Sequence, residues 1–470
     1  MTEKTRENTA DIDVLACTAS ELHKAFRSGD TDPVEILESI FVRMETANEA
    51  LNAIVIPCRE AAFRAAVESR NRIRAGQSRS YFEGIPLTIK DNLWVRDLRA
   101  TWGSRLFEDH IAPRDELPVE VLRASGAVII GKTNTPELSL AGFTYNDIFG
   151  ETGNPWDPAL SPSGSSGGAA AAVMSGLGPV ALVTDAGGSA RRPASHVGCV
   201  GFKPSPGEIP RLFGFPPLAH DLQSIGLLAR SVEDISQLFN LLRKKPLGTV
   251  EPSGSYRIAA FAEIGELPVE QEVQRLWGQA IEDFSSLGHE VKVVAPPYDP
   301  DLMSALLMGL GAVGVHRVVR DFPDWEKRVT ETIRQLALKG AKTSASDYVV
   351  MIDRITEIRG EMRDRFADFD FILTPTAPTY LWPKNEPAPK MVDNRDAPPR
   401  VDAIYTTFAN VAGLAGVSVP AGVFENRHPL GLQLMAPPQS EDQLLGLAQQ
   451  WEELHPWPRL APDYSKTREM

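Results

Sequence analysis

An α/β fold is predicted for this 470-residue chain, on three observations. Short apolar runs of strand length alternate with helical stretches, glycine- and serine-rich loops stand where strands end, and no internal repeat organises the whole. The composition agrees: 43% hydrophobic and 23% charged residues, with 36 Gly and 37 Pro, describe a folded, loop-rich globular protein with ample material for a large core.

The first helix is legible from its cap. Asp32 stands at N-cap, Pro33 at N1 and Glu35 at N3, and Ile36, Leu37, Ile40, Phe41 and Met44 then share one face. A second helix over 61–75 stops at Gly76, and the polar connection 77–81 leads to a strand over 85–89, so Lys90 falls at a strand end beside Asp91 and Asn92. A helix to Ala124, a turn at Gly126, a strand over 127–130 and the loop Gly131-Lys132-Thr133-Asn134 make one α/β step.

After a loop holding Trp156 and Ser165, the alanine-rich stretch 169–175 reads as a helix stopped by Gly176 and Gly178. The apolar run 180–184 then points at Gly187-Gly188-Ser189. Ser189 therefore lies just past a strand's C-terminal end, where open α/β sheets gather ligands. Strand 258–261, helix 268–287 and strand 290–294 form a further unit that extends the sheet, and helices dominate to Phe366.

The longest apolar tract, 302–315, carries glycines and a serine and reads as a buried helix or pocket wall rather than a membrane span. Strand 371–374, a proline-rich ordered loop or mobile flap at 383–400, closing strands at 417–420 and 431–434, and a last helix over 441–454 complete the order. The chain is taken as one domain, 1–470: a disordered tail to about residue 10, an N-terminal helical region 11–80, a catalytic core 81–235, and the rest of the sheet with its covering helices over 236–470.

Sixty-two acidic against 48 basic side chains leave a formal charge of −14, which opposes binding to phosphate backbones and anionic lipid. Neither nucleic acid nor membrane is expected as a partner. Cys17, Cys58 and Cys199 are odd in number and widely spaced, which suggests neither a disulfide framework nor a zinc site. With a polar start, Met1 to Glu7, and no export signal, a cytoplasmic location is expected, with no metal and no organic cofactor.

The chemistry concentrates in two glycine-serine loops, Gly164-Ser165-Ser166-Gly167-Gly168 and Gly187-Gly188-Ser189, together with Lys90. A serine hydroxyl needs a base. His196, the nearest histidine to Ser189 in sequence, has no evident acidic orienter and reads as a packing residue. A desolvated lysine can serve instead, because burial disfavours its charged form. Ser165 can then pass its proton to Lys90 while taking one from Ser189.

The first loop satisfies the G-x-S-x-G pattern around Ser166, but two prolines precede it where a nucleophile elbow needs a strand. A phosphate loop lacks its Gly-Lys-Ser/Thr, and apolar segments on both sides argue against a linker.

These residues, with Gly84-Ile85-Pro86-Leu87-Thr88-Ile89-Lys90-Asp91, Gly131 to Glu137, Asn154-Pro155-Trp156-Asp157, Thr184 to Ser189 and Gly201-Phe202-Lys203-Pro204, resemble the amidase signature family of serine hydrolases over about residues 32–458. The resemblance implies a large twisted mixed β-sheet covered by helices on both faces. It makes Ser189 the nucleophile, Ser165 the bridging serine after a cis peptide, and Lys90 the base. Backbone amides of Ala186, Gly187, Gly188 and Ser189 become the oxyanion hole, Asp185 and Arg191 structural support, and Ser139, Leu140 and Ser165 the substrate contacts.

Tyr145, Phe149 and Trp156 lie near that pocket segment in sequence and read as core. Ser163, Ala186, Arg192 and Glu208 depart from the family's usual residues. The resemblance suggests a stand-alone bacterial amidase, a possible homodimer, that cleaves a small carboxamide or a related C–N acyl bond with water through an acyl-serine. It leaves open the amidase subunit of a tRNA-dependent amidotransferase and, further off, a silent scaffold.

Overall fold

The computed structural model describes residues 13–244, 254–425 and 427–462; the expected tail at 1–10 lies outside them. Eleven strands build one sheet: β1 (Ile54–Pro57), β2 (Pro86–Lys90), β3 (Val128–Thr133), β4 (Val180–Asp185), β5 (Val200–Lys203), β6 (Ser224–Ala229), β7 (Arg257–Ala260), β8 (Glu290–Val293), β9 (Phe371–Pro375), β10 (Ala415–Phe424) and β11 (His428–Ala436). Their spatial order is β1-β3-β2-β4-β6-β5-β10-β11-β9-β7-β8. β2 runs parallel to β3 and β4, β7 runs parallel to β8 and β9, and the pairs between those groups are antiparallel, so the sheet is mixed as expected.

Strand alternation explains the two-sided burial. Val180 and Leu182 of β4 join a core with the helices Val232–Leu242 and Glu441–Leu454, while Ala181 and Val183 pack with the helices Gly167–Met174 and Arg191–Val197. The alanines of Gly167–Met174 let that helix lie close on the sheet, and every residue in it is buried.

Local signals translate directly. The helix Pro33–Leu51 opens with a capping box: Asp32 Oδ1 accepts from the amides of Val34 at 2.9 Å and Glu35 at 3.3 Å, and Glu35 Oε2 accepts from the Asp32 amide at 3.2 Å. The tract around 302–315 is the helix Pro300–Val319, the one helix among the described residues long and apolar enough to cross a membrane. Here it packs against the protein along one side, with Met303, Leu306, Leu310 and Val315 buried. Gly314 lies against the backbone of Leu218, and Gly340 of the helix Glu331–Ala341 lies against the carbonyl of Ala312.

Two expectations change, and for the proline-rich stretch the ordered-loop alternative is the one that holds. The loop 131–134 is mostly strand, because β3 continues to Thr133 in register with Lys90 of β2. The strands at 417–420 and 431–434 do not close the sheet. As β10 and β11 they are longer and lie near its middle, between β5 and β9, with 415–420 of β10 and 429–436 of β11 buried. The proline-rich stretch is pinned rather than a free flap: Pro383 bridges to Leu160, and Met391–Val392 pairs with Arg395–Asp396 in a small hairpin that buries Val392.

Candidate active site

Parallel pairing of β2 with β4 brings their C-terminal ends to the same edge of the sheet, and with them Lys90 and the loop that leads to Ser189. Lys90 is fully buried. Its Nζ donates to Ser165 Oγ at 2.7 Å and to Ser166 Oγ at 2.9 Å, and lies 3.5 Å from Thr184 Oγ1, which accepts from Asn92 Nδ2 at 2.8 Å. No carboxylate pairs with it among the described residues. Burial is the main cause that drives its pKa well below the ordinary lysine value; the charge of Asp185 opposes this, and Arg211 and Arg192 add to it. A neutral amine so placed can accept a proton from either serine.

The Gly164–Ser165 peptide is cis, as the family resemblance implies. Ser163, where a glycine is common in the family, adopts the left-handed φ of 66°. Ser189 is 8% exposed and lines the same cavity as Ser165, and its carbonyl accepts from the Ser166 amide at 3.2 Å. No hydrogen bond joins the Ser165 and Ser189 hydroxyls among the described residues; the two share the lining of one cavity.

The loop after β4 is folded around Asp185. Its Oδ1 accepts from the Gly188 amide at 2.8 Å, and its Oδ2 accepts from the Ala190 amide at 3.0 Å. Gly188 therefore leaves the expected oxyanion set, because its N–H is turned to Asp185. The amides of Ala186, Gly187 and Ser189 have no acceptor among the described residues. Gly188 has φ 107°, and a β-carbon there would collide with Thr406 Oγ1, so only glycine fits.

Arg191 donates to Asp185 through Nε at 3.1 Å and Nη2 at 2.9 Å, then reaches Gln433 Oε1 and Asn410 Oδ1, both at 2.6 Å. Burial pushes the Asp185 carboxyl up, but the charge and hydrogen bonds of Arg191 outweigh it and hold the group well below the usual carboxylate range.

Ser139 and Leu140 form one wall of the cavity, at a turn where Leu138 and Ser139 both have positive φ, and Leu307 and Met308 of the helix Pro300–Val319 form another. The Ser139 hydroxyl is already engaged, by Trp102 Nε1 at 3.2 Å and Thr135 Oγ1 at 3.0 Å. None of Tyr145, Phe149 and Trp156 lines the cavity; Trp156 is buried with its Nε1 donating to the Val197 carbonyl at 2.8 Å. His196 is buried edge-on to Trp382, and burial lowers its pKa to about 4, so it packs rather than titrates.

Sequence reasoning missed several groups. Ser166 is a second hydroxyl on Lys90, hidden by being weighed only as an elbow nucleophile. Asn410 and Gln433 brace Arg191 from more than 200 residues downstream, with no local signal. Arg192 pairs with Asp402, and Arg400 enters the cavity from the end of the proline-rich stretch.

The Amidase family profile matches residues 35–445. Curated relatives include a glutamyl-tRNA(Gln) amidotransferase subunit of Chromohalobacter salexigens, 31% identical over 492 residues and covering 96% of this chain and 99% of the relative. The protein of the same name from Carboxydothermus hydrogenoformans is 31% identical, covering 94% and 98%. Among solved structures, a bacterial aryl acylamidase of the amidase signature family superposes with a TM-score of 0.85 at 26% identity, covering 94% of this chain and 96% of that one.

The mixed sheet, the buried lysine and the serine-lined cavity are those of an amidohydrolase, and the chain belongs to the amidase signature family. The curated relatives overturn the narrower expectation of a stand-alone amidase for a small carboxamide with no nucleic acid involved. They are subunits of an amidotransferase named for a tRNA.

Proposed function

We propose that this chain is the amidase subunit of a tRNA-dependent amidotransferase, and that it releases ammonia from the side-chain amide of glutamine for a partner subunit that carries the tRNA. Full-length similarity to chains named as glutamyl-tRNA(Gln) amidotransferase subunits supports the assignment to that assembly. The observation that carries the chemistry is the buried contact between Lys90 Nζ and Ser165 Oγ at 2.7 Å, beside Ser189 in one cavity. A charge of −14 suits a chain that leaves tRNA binding to its partner.

In this reading Ser189 Oγ attacks the amide carbon as its proton passes to Ser165 and that of Ser165 passes to neutral Lys90. The amides of Ala186, Gly187 and Ser189 receive the developing oxyanion. The relay returns the proton to the leaving nitrogen, and ammonia departs from an acyl-Ser189. Water then attacks the ester, gives its proton to the same relay, and frees glutamate. Asp185 and Arg191 hold the loop in shape without touching substrate.

Ser189→Ala and Lys90→Ala are each expected to lower ammonia release from glutamine by at least about a thousandfold. Wild-type turnover in either purified variant would overturn the mechanism. If the chain purifies without a second subunit from cells that make its natural partners, and frees no ammonia from glutamine, its placement in that assembly falls.

A further inference from the structure

Two arginines line the cavity, and a carboxylate pairs with only one of them. Arg192 stands where an apolar residue is usual, and its Nη1 donates to Asp402 Oδ2. Arg400 has no acceptor oxygen among the described residues: its Nη1 meets only the Met308 sulfur, at 3.4 Å. The Nε atoms of both arginines are buried without a hydrogen-bond partner. Guanidinium groups stay charged in proteins, so this corner holds one uncompensated positive charge.

That charge is close to the reacting loop. A β-carbon built on Gly187 would lie 3.9 Å from Arg400 Nη2, and one on Gly188 would lie 3.0 Å from Arg192 Nε. A purely structural arginine in such a place satisfies its fork with carbonyls or carboxylates, as Arg191 does next door. Arg400 instead lines the cavity that Ser165 and Ser189 also line. Burial, with the charge of Arg192 behind it, lowers its pKa against the opposing charge of Asp402; the cation is held at a cost that an arriving anion would relieve.

We propose that Arg400, with Arg192 beside it, binds a carboxylate on the acyl part of the substrate, so that the site selects amides whose acyl chain ends in a carboxylate. This rests on the amide-hydrolysing reading of Ser189 and specifies it. The α-carboxylate of glutamine meets the requirement, and so does the monoamide of a simple dicarboxylic acid.

The experiment compares three primary amides of matched chain length on the full chain, together with any subunit that co-purifies. They are glutamine, 4-carbamoylbutanoate, which keeps the carboxylate and lacks the amino group, and pentanamide, which lacks both. The carboxylated amides should exceed pentanamide in kcat/KM by about 10- to 150-fold, the range of a charge-assisted hydrogen bond. Arg400→Met should collapse that ratio toward one, chiefly by raising KM for the carboxylated substrates.

Equal kcat/KM for 4-carbamoylbutanoate and pentanamide in the wild type overturns the proposal, and so does an unchanged ratio in Arg400→Met. The wild-type ratio decides even if that variant does not fold. Preference for 4-carbamoylbutanoate with no turnover of glutamine keeps the carboxylate site and sinks the glutamine reading instead.

Discussion

Lys90 has three hydroxyl oxygens within reach and no carboxylate, and that choice of neighbours sets its chemistry. A paired lysine stays charged and can only donate; burial disfavours the charged form of this one and suits it to accept. The base must be neutral, so kcat/KM is expected to fall as pH drops through the depressed pKa of Lys90 and to hold level above it. A pH–rate profile tests this, and an acid limb near the ordinary lysine value of 10.5 would refute the assignment. Asp185→Asn removes the partner of a fully buried Arg191 and is expected to destabilise the fold by about 3–5 kcal/mol, measured by urea unfolding. Lys90, Ser165 and Ser189 were legible in the sequence because each sits in a contiguous motif. Asp402 and Arg400 were not: Asp402 meets Arg192 across 210 residues and Arg400 meets Met308 across 92, and no local pattern marks either contact.

At the level of elements, the signals that could be read were those a segment carries by itself. The capping box at Asp32 and the apolar face after it predicted a helix, as did the stretch 441–454, because caps and a 3.6-residue period are local physics. The position of β10 and β11 in the sheet was not legible, since pairing partners are chosen by distant residues and two strands near the end of a chain can enter anywhere. Helix contacts carry their own sensitivity. A β-carbon at Gly340 would collide with the Ala312 carbonyl oxygen, so Gly340→Ala must push apart the helices Glu331–Ala341 and Pro300–Val319. The expected cost is about 1–3 kcal/mol. Because Leu307 and Met308 ride on the second helix, KM should rise along with the loss in melting temperature. A variant with lowered Tm and unaltered KM would show that the helix wall does not shape substrate binding.

Across the whole molecule, one fully buried lysine stands where the two halves of the sheet meet. Lys203 ends β5, next to β10, and donates to the carbonyls of Pro204 at 3.0 Å and Leu414 at 2.5 Å. Burial lowers its pKa to about 7, reinforced by Arg191 and opposed by Asp185 and Glu441. Between about 7 and the ordinary 10.5 the unfolded chain holds a proton that the folded chain lacks, so stability should rise with pH across that window. Lys203→Met should flatten the rise, as read from urea midpoints at several pH values; an identical slope in the variant would remove Lys203 as its source. The same region has a consequence in time. Ser189 and its loop are held through Arg191 by Asn410 and Gln433, so a chain emerging from the ribosome carries the lysine and both serines long before it carries their brace. A chain cut before β11 keeps Lys90, Ser165 and Ser189 but loses Gln433 from the brace, so it is expected to lose amide hydrolysis although every reacting atom is present.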